Sequence, residues 1–362
     1  MVCSSTEVFS INCCPIIHHP ANCRVYNFEH MTTALNGQPM ISWGIIGCGN
    51  VTELKSGPAF NKVAQSTLHA VMRRDAVKAA DYAARHQVPC WYSDAAALIN
   101  DPAVNAVYIA TPPKFHEEYA VAALEKGKAV YVEKPVAVSV AACKRMADAL
   151  KANDGKLVVA HYRRGLHMLL KIKELGETGA VGKIKNIRLT MFQTHRPDIV
   201  ANTDFNWRVD PEYAGAGYFY DLAPHQLDII QFIFGEALRK AGVAAHQTNF
   251  YAAEDAVSGI MELPNNILFQ GDWNFSMPEI MKEDSCLIIG EKGYLKFPFF
   301  GTELRIVTEA GADLMSFEHP QNIQHPMITK VVGYFLGRSS NPCSIEEALK
   351  SMEVMESFVY GN

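Results

Sequence analysis

Two kinds of block alternate along the first half of the chain: short, nearly continuous apolar runs, and longer stretches with helical spacing. Ile41–Ile46 is an apolar run that stops at Gly47 and reads as a buried parallel strand. Thr67–Met72, Asn105–Ala110, Ala129–Val132 and Lys156–Ala160 repeat that signature. Between them, Ala76–His86, Phe115–Lys126 and Val140–Lys151 carry helical periodicity. Strands alternating with helices of this length predict βαβ units and a doubly wound parallel sheet.

The texture changes after residue 160. Ile184–Thr194, Ala253–Leu263, Ile267–Phe275, Ser285–Ile289 and Tyr294–Phe297 read as strands that follow one another, joined by turns such as Pro264-Asn265-Asn266. Few helices intervene, so a large, mostly antiparallel sheet is expected. Two helices, near Ile323–Leu336 and Ile345–Phe358, finish the chain. The fold class is therefore α/β with two domains. Residues 41–160 are expected to form the doubly wound unit, and residues 161–362 the unit built on the antiparallel sheet.

Composition sharpens this picture only in places. A chain of 362 residues with 49% hydrophobic and 20% charged content has ample core for two domains. A net charge of −5 with scattered basic residues gives no footprint for nucleic acid. No apolar stretch approaches the roughly 20 residues needed to span a bilayer. Nine cysteines, an odd count, argue against a secreted disulfide framework and for a reducing, cytoplasmic setting. Residues 1–40 lack a basic start and an apolar core, so they fail as a signal peptide. They read as a poorly ordered extension. Cys13, Cys14, His18, His19 and Cys23 match no zinc spacing, and no metal is expected.

Candidate chemistry begins at Gly47-Cys48-Gly49-Asn50-Val51-Thr52, placed between the first strand and a helix. That context is the one a Rossmann phosphate loop requires. The first glycine permits the tight turn, and the second lets backbone approach a pyrophosphate. Thr52 stands where a third glycine is usual. The second strand ends in Arg73-Arg74 instead of the carboxylate that would hold a ribose 2′-hydroxyl. Guanidinium groups suit a 2′-phosphate, so NADP(H) is favoured over NAD(H). Asp75 follows immediately and offers the competing reading, a ribose ligand for NAD(H).

A longer pattern follows. Ile109-Ala110-Thr111-Pro112-Pro113-Lys114-Phe115-His116 leads through a helix to Val132-Glu133-Lys134-Pro135. Gly215-Ala216-Gly217-Tyr218-Phe219-Tyr220-Asp221-Leu222-Ala223-Pro224-His225 lies in the second half. This order resembles the Gfo/Idh/MocA oxidoreductases over roughly residues 41 to 360, with Ala216 replacing a usual glycine. The resemblance implies cofactor contacts at Gly47, Gly49, Asn50, Val51, Thr111, Pro112, His116, Glu133 and Lys134. Trp207-Arg208 is similar to a pair near the nicotinamide in the anhydrofructose reductase branch. The implied activity is interconversion of a carbonyl and an alcohol on a sugar, anhydrosugar or polyol. Two alternatives share the fold: a redox glycosidase on bound NAD, and a non-catalytic dinucleotide-binding regulator. The resemblance also implies Lys134, Asp221 and His225 as the catalytic set.

The residue types suit that chemistry. Hydride transfer moves a proton as well, which needs a positioned acid or base and a donor to the oxygen. Asp221 and His225 are spaced i, i+4, so a helix opening at Asp221 puts both on one face, with Pro224 tolerated in its first turn. His225 is the proton carrier expected near neutral pH. Lys134, at the C-terminal end of a parallel strand, lies where open α/β sheets bind ligands. Arg163 and Tyr220 are expected in the substrate pocket beside them, from a wider group that includes Tyr162, His195 and Arg196. His161 and His167 read as structural, and Asp228 as structural or as a partner for the imidazole. An open sheet face implies a homodimer or homotetramer.

Overall fold

The computed structural model describes residues 39–200 and 206–361, so the expectations for residues 1–38 lie outside the described residues. The elements run β1 (Ile41–Ile46), α1 (Asn50–Leu54), α2 (Gly57–Phe60), β2 (Ser66–Met72), α3 (Ala76–Arg85), β3 (Cys90–Tyr92), α4 (Ala95–Ile99), β4 (Ala106–Ile109), α5 (His116–Glu125), β5 (Ala129–Val132), α6 (Val140–Ala152) and β6 (Leu157–Val159). They continue with α7 (His167–Glu177), β7 (Ile184–Phe192), α8 (Pro211–Ala214), α9 (Gly217–Phe234), β8 (Arg239–Ala245), β9 (Ala256–Leu263), β10 (Ile267–Asn274), β11 (Glu283–Gly290), β12 (Gly293–Phe297), β13 (Glu303–Thr308), β14 (Gly311–Ser316), α10 (His325–Phe335) and α11 (Ile345–Tyr360).

The first six strands form one parallel sheet in the order β3-β2-β1-β4-β5-β6. Trp43, Ile45, Val107, Tyr108, Val130 and Tyr131 are wholly buried in it, because helices cover both faces. The strand order reverses beside β1, which opens the crevice where such sheets take ligands. Register then does the positioning. Ile46 pairs with both Met72 and Ile109, Ile109 with Val132, and Val132 with Val159. The residues just beyond these strands, Gly47, Arg73, Ala110, Glu133 and Ala160, therefore line one edge of the sheet.

The second sheet has eight strands in the order β14-β13-β12-β11-β7-β10-β9-β8. All pairings are antiparallel except β7 with β10. One face buries Met261, Phe269, Trp273 and Ile288, with Trp273 6.1 Å from the Phe358 ring of α11. The other face leaves Val243, Ile260 and Leu268 exposed. The expected strands are all present. Unread were β3, β8, β13 and β14. β8 (Arg-Lys-Ala-Gly-Val-Ala-Ala) is an edge strand with little bulk, and β3 is only 3 residues long.

One expected boundary shifts with consequence. The helix carrying Asp221 begins at Gly217, so Pro224 sits in its interior and not in its first turn. The proline removes the bond that would run to the Tyr220 carbonyl, so the helix is one backbone hydrogen bond short at this turn. The chain's last segment also returns to the first sheet. Val159 N donates to Cys343 O (3.0 Å), and Asn341 Nδ2 donates to Leu157 O (2.8 Å). Among the described residues, no helix is long and apolar enough to cross a membrane.

Candidate functional site

The glycine loop takes the tight conformation its sequence demands. Gly47 has φ +96°, and a Cβ there would lie 2.9 Å from Thr111 and Ala110 backbone. Gly49 differs: a Cβ there would approach nothing nearer than Gly47 O at 4.0 Å, so it faces open space. Thr52, in the third glycine's place, is buried and donates its hydroxyl to Gly49 O (2.8 Å), closing the turn. Asn50 is exposed and Val51 half-buried at the loop's rim. Beside the loop, Thr111 Oγ1 is buried with no hydrogen-bond partner among the described residues. An open cradle of small residues with an unsatisfied hydroxyl fits a bound dinucleotide.

At the end of β2 the three candidate residues divide. Arg73 lies against the loop, its Nη1 donating to Cys48 O (3.0 Å). Arg74 is exposed, with its guanidinium 5.1 Å above the Phe115 ring. Asp75 instead caps α3, accepting from Lys78 N.

Several residues expected at the cofactor are placed as struts of its loops. His116 is wholly buried. Its Nε2 lies 2.8 Å from Thr111 O, and its Nδ1 lies 3.0 Å from Pro135 O. Burial pushes its pKa down to about 4, and in its neutral form the ring donates to one of these two carbonyls, packed between the Pro112 loop and the cis Lys134-Pro135 segment. Glu133 is buried. It accepts from Tyr108 Oη (2.5 Å), Gln324 Nε2 (2.7 Å) and Lys134 N (3.2 Å).

Lys134 points the other way, toward α9. Its Nζ donates to Oδ1 and to the backbone oxygen of Asp221, each at 2.7 Å. Arg208, on the short turn Trp207–Val209, reaches the second carboxylate oxygen (Nε to Oδ2, 3.0 Å) and stacks 4.4 Å from Trp207. Burial opposes ionisation of Asp221, but Lys134 and Arg208 overcome it and hold the carboxyl well below the usual range. Asp221 is therefore an anion clamped between two cations.

His225 lies one turn further along α9, and it too is buried. Its Nδ1 has no hydrogen-bond partner among the described residues, and the Tyr162 ring meets it edge-on at 5.0 Å. Burial first, then the charges of Lys134, Arg163 and Lys55, push its pKa well below the ordinary imidazole value. Arg163 is buried. It donates to Phe299 O (2.9 Å) and covers the Phe300 ring at 4.2 Å, and its Nε has no partner among the described residues.

Tyr220 is not brought to this cluster. Its ring packs against Gly215 and Phe219, and its hydroxyl environment is set by Tyr360, Glu356 and Glu254. One residue before Asp221 on a helix points about 100° away, which puts Tyr220 on the core side. Asp228 is engaged by a bidentate pair with Arg164 (2.7 and 2.9 Å) and lies 3.6 Å from His161, not against His225. His195 stacks on Phe250 at 4.2 Å. Tyr108 and Gln324 went unread because a lone strand tyrosine and a glutamine near a helix start carry no motif.

Known proteins share this fold. Residues 41–161 match the model described as oxidoreductase family, NAD-binding Rossmann fold, and residues 169–296 match the GFO/IDH/MocA C-terminal domain. The chain is 43% identical over 320 residues to oxidoreductase P35 of Formosa agariphila, covering 88% of this chain and 98% of that protein. It is 38% identical to levoglucosan dehydrogenase of Pseudarthrobacter phenanthrenivorans over 40% of this chain and 36% of the relative. Among solved structures, an oxidoreductase of Thermotoga maritima superposes with TM-score 0.78 at 22% identity, covering 88% of this chain and 95% of that one. A levoglucosan dehydrogenase in complex with NADH and levoglucosan gives TM-score 0.77 at 22% identity, covering 88% and 96%. The chain belongs to the Gfo/Idh/MocA family and is an NAD(P)-dependent oxidoreductase.

Proposed function

We propose that this enzyme interconverts a carbonyl and an alcohol on a sugar, anhydrosugar or polyol, with NADP(H) preferred over NAD(H). A 1,5-anhydro-D-fructose reductase-like activity is the nearest specific assignment. A relative of that name from Ensifer adhaerens is 24% identical over 64% of this chain and 68% of its own length. The observation that carries the reading is the Lys134–Asp221 contact, with His225 on the next turn of the same helix. Hydride is accepted or given by the nicotinamide when the dinucleotide is bound.

The side chains then have separable tasks. An ammonium has three donors. Asp221 takes two of those of Lys134, through Oδ1 and O, and leaves the third for a substrate oxygen. That donor polarises a carbonyl or steadies an alkoxide. His225 is held neutral, so it accepts the hydroxyl proton during oxidation and returns it during reduction. Arg163 and Tyr162 border the imidazole and form the wall that a polyhydroxylated substrate meets. Arg73 and Arg74 select the 2′-phosphate, a reading supported by the commitment of Asp75 to capping α3.

The enzyme works as a homodimer or homotetramer through the exposed face of β8, β9 and β10, where Val243, Ile260 and Leu268 lie. Activity is tested by offering ketoses, anhydroketoses and polyols with each dinucleotide and following the absorbance of the reduced nicotinamide. Turnover of a member of these classes, faster with the NADP pair, is expected. Silence toward all of them overturns the reading.

A further inference from the structure

The corner that carries Lys134 is buttressed from a part of the chain nearly two hundred residues away. Gln324, just before α10, is 1% exposed. Its Nε2 donates to Glu133 Oε1 at 2.7 Å, and Tyr108 Oη donates to the same oxygen at 2.5 Å. Tyr131 Oη lies 3.4 Å from Gln324 Oε1 and steadies the amide from behind. The other Glu133 oxygen accepts the backbone N–H of Lys134 at 3.2 Å. The carboxylate therefore sets the direction in which the chain leaves β5, and the amide sets the carboxylate.

The same segment also grips the helix after the glycine loop. Gln324 N donates to Lys55 O (3.2 Å), and Asn322 Nδ2 donates to Leu54 O (2.6 Å). Lys62 Nζ closes the contact on Gln321 and Asn322 at 2.9 and 2.7 Å. Residues 321–324 thus bridge the C-terminal end of α1, the helix that follows the glycine loop, and the end of β5 that carries Lys134. Glutamine at this point can donate to a carboxylate without adding charge. A lysine or arginine there would add a further cation near Lys134, Arg208 and Lys55.

We propose that Gln324 is a positioning residue for Lys134, acting through the Glu133 carboxylate. The proposal rests on the reaction assigned above, in which Lys134 faces the substrate oxygen. Its effect is on turnover and on the order of the Glu133–Lys134 backbone, not on substrate affinity.

Two variants test it, Gln324→Ala and Gln324→Glu. In Gln324→Ala, kcat should fall about tenfold, as for one lost hydrogen bond to a charged group, with KM for the sugar substrate within about twofold of the parent. In the unliganded protein, amide exchange of the peptide holding Glu133 and Lys134 should accelerate about tenfold, since its hydrogen-bonded anchor is loosened.

Gln324→Glu sets two carboxyl groups face to face. Such a pair keeps one proton on the acid side and then donates as the amide does. It loses that proton as pH rises, and the two like charges repel. This variant should resemble the parent at low pH and lose kcat through an added alkaline limb that the parent lacks. Parent-like kcat and exchange in Gln324→Ala, together with a parent-like pH profile in Gln324→Glu, overturns the proposal. If the parent itself turns over no sugar, the assigned reaction falls, while the exchange measurement still decides whether Gln324 holds this corner.

Discussion

Lys134 Nζ meets Asp221 twice, at Oδ1 and at the backbone oxygen, each at 2.7 Å, across 87 residues of chain. The contact joins the carboxyl end of the parallel sheet to the long helix of the second half. It also leaves a defined donor free. Replacing Lys134 with alanine should lower kcat by about 10²–10³-fold, the scale for losing a donor to a charged transition-state oxygen. Dinucleotide affinity, read by fluorescence titration of the reduced cofactor, should change little. Near-normal turnover in Lys134→Ala would place the chemistry elsewhere.

Removing the Lys134 charge has a second consequence, at His225. Burial is the larger cause of its low pKa, but Lys134 comes next. In Lys134→Met the imidazole should titrate at higher pH than in the parent, followed by NMR of the His225 ring. An unchanged titration would mean that burial alone keeps the ring neutral. His225→Asn should cost about 10²–10⁴-fold in kcat, as for a lost general base.

Arg73 and Arg74 make the cofactor prediction. Alanine at both should weaken NADPH binding by about 10–100-fold, the scale of one or two charge-assisted hydrogen bonds, and leave NADH nearly unchanged. Parent protein that binds NADH as tightly as NADPH would return the ribose role to Asp75.

Acid should destabilise this protein in a definite window. His116 and His161 are buried and held down to about 4, and His225 is also well below its ordinary value. In the unfolded chain each binds a proton near pH 6.5. The unfolded state therefore holds more protons than the native state from about 6.5 down to about 4, and stability falls as pH falls through that range. Denaturant unfolding at stepped pH should show the decline, with a shallower slope in His161→Asn by about one proton. A flat profile between pH 7 and 5 would contradict the neutral assignments.

Arg164 and Asp228 form a buried bidentate pair, extended by Arg164 to Glu347. Arg164→Ala leaves a buried carboxylate without its partner and should cost about 3–5 kcal/mol of folding stability, measured by urea titration. A loss under about 1 kcal/mol would show that the site relaxes or admits water.

Much of this was legible in the residues alone. Apolar runs alternating with helical spacing give the parallel sheet, because a strand buried on both faces has to be apolar throughout. Gly47 is readable because only glycine takes its backbone angle cheaply. The i, i+4 spacing of Asp221 and His225 places them together on any helix. Other facts depend on where the chain returns in space. The helix start at Gly217, the commitment of Asp75 to α3, the burial of Tyr220 against the C-terminal helix and the buttress from Gln324 to Glu133 all involve partners that sequence spacing does not reveal. Local pattern determined which side chains can do chemistry here, since backbone preference and periodicity act over a few residues. Tertiary structure decided which of them meet, and what charge they carry, since burial and ion pairing join residues distant in the chain.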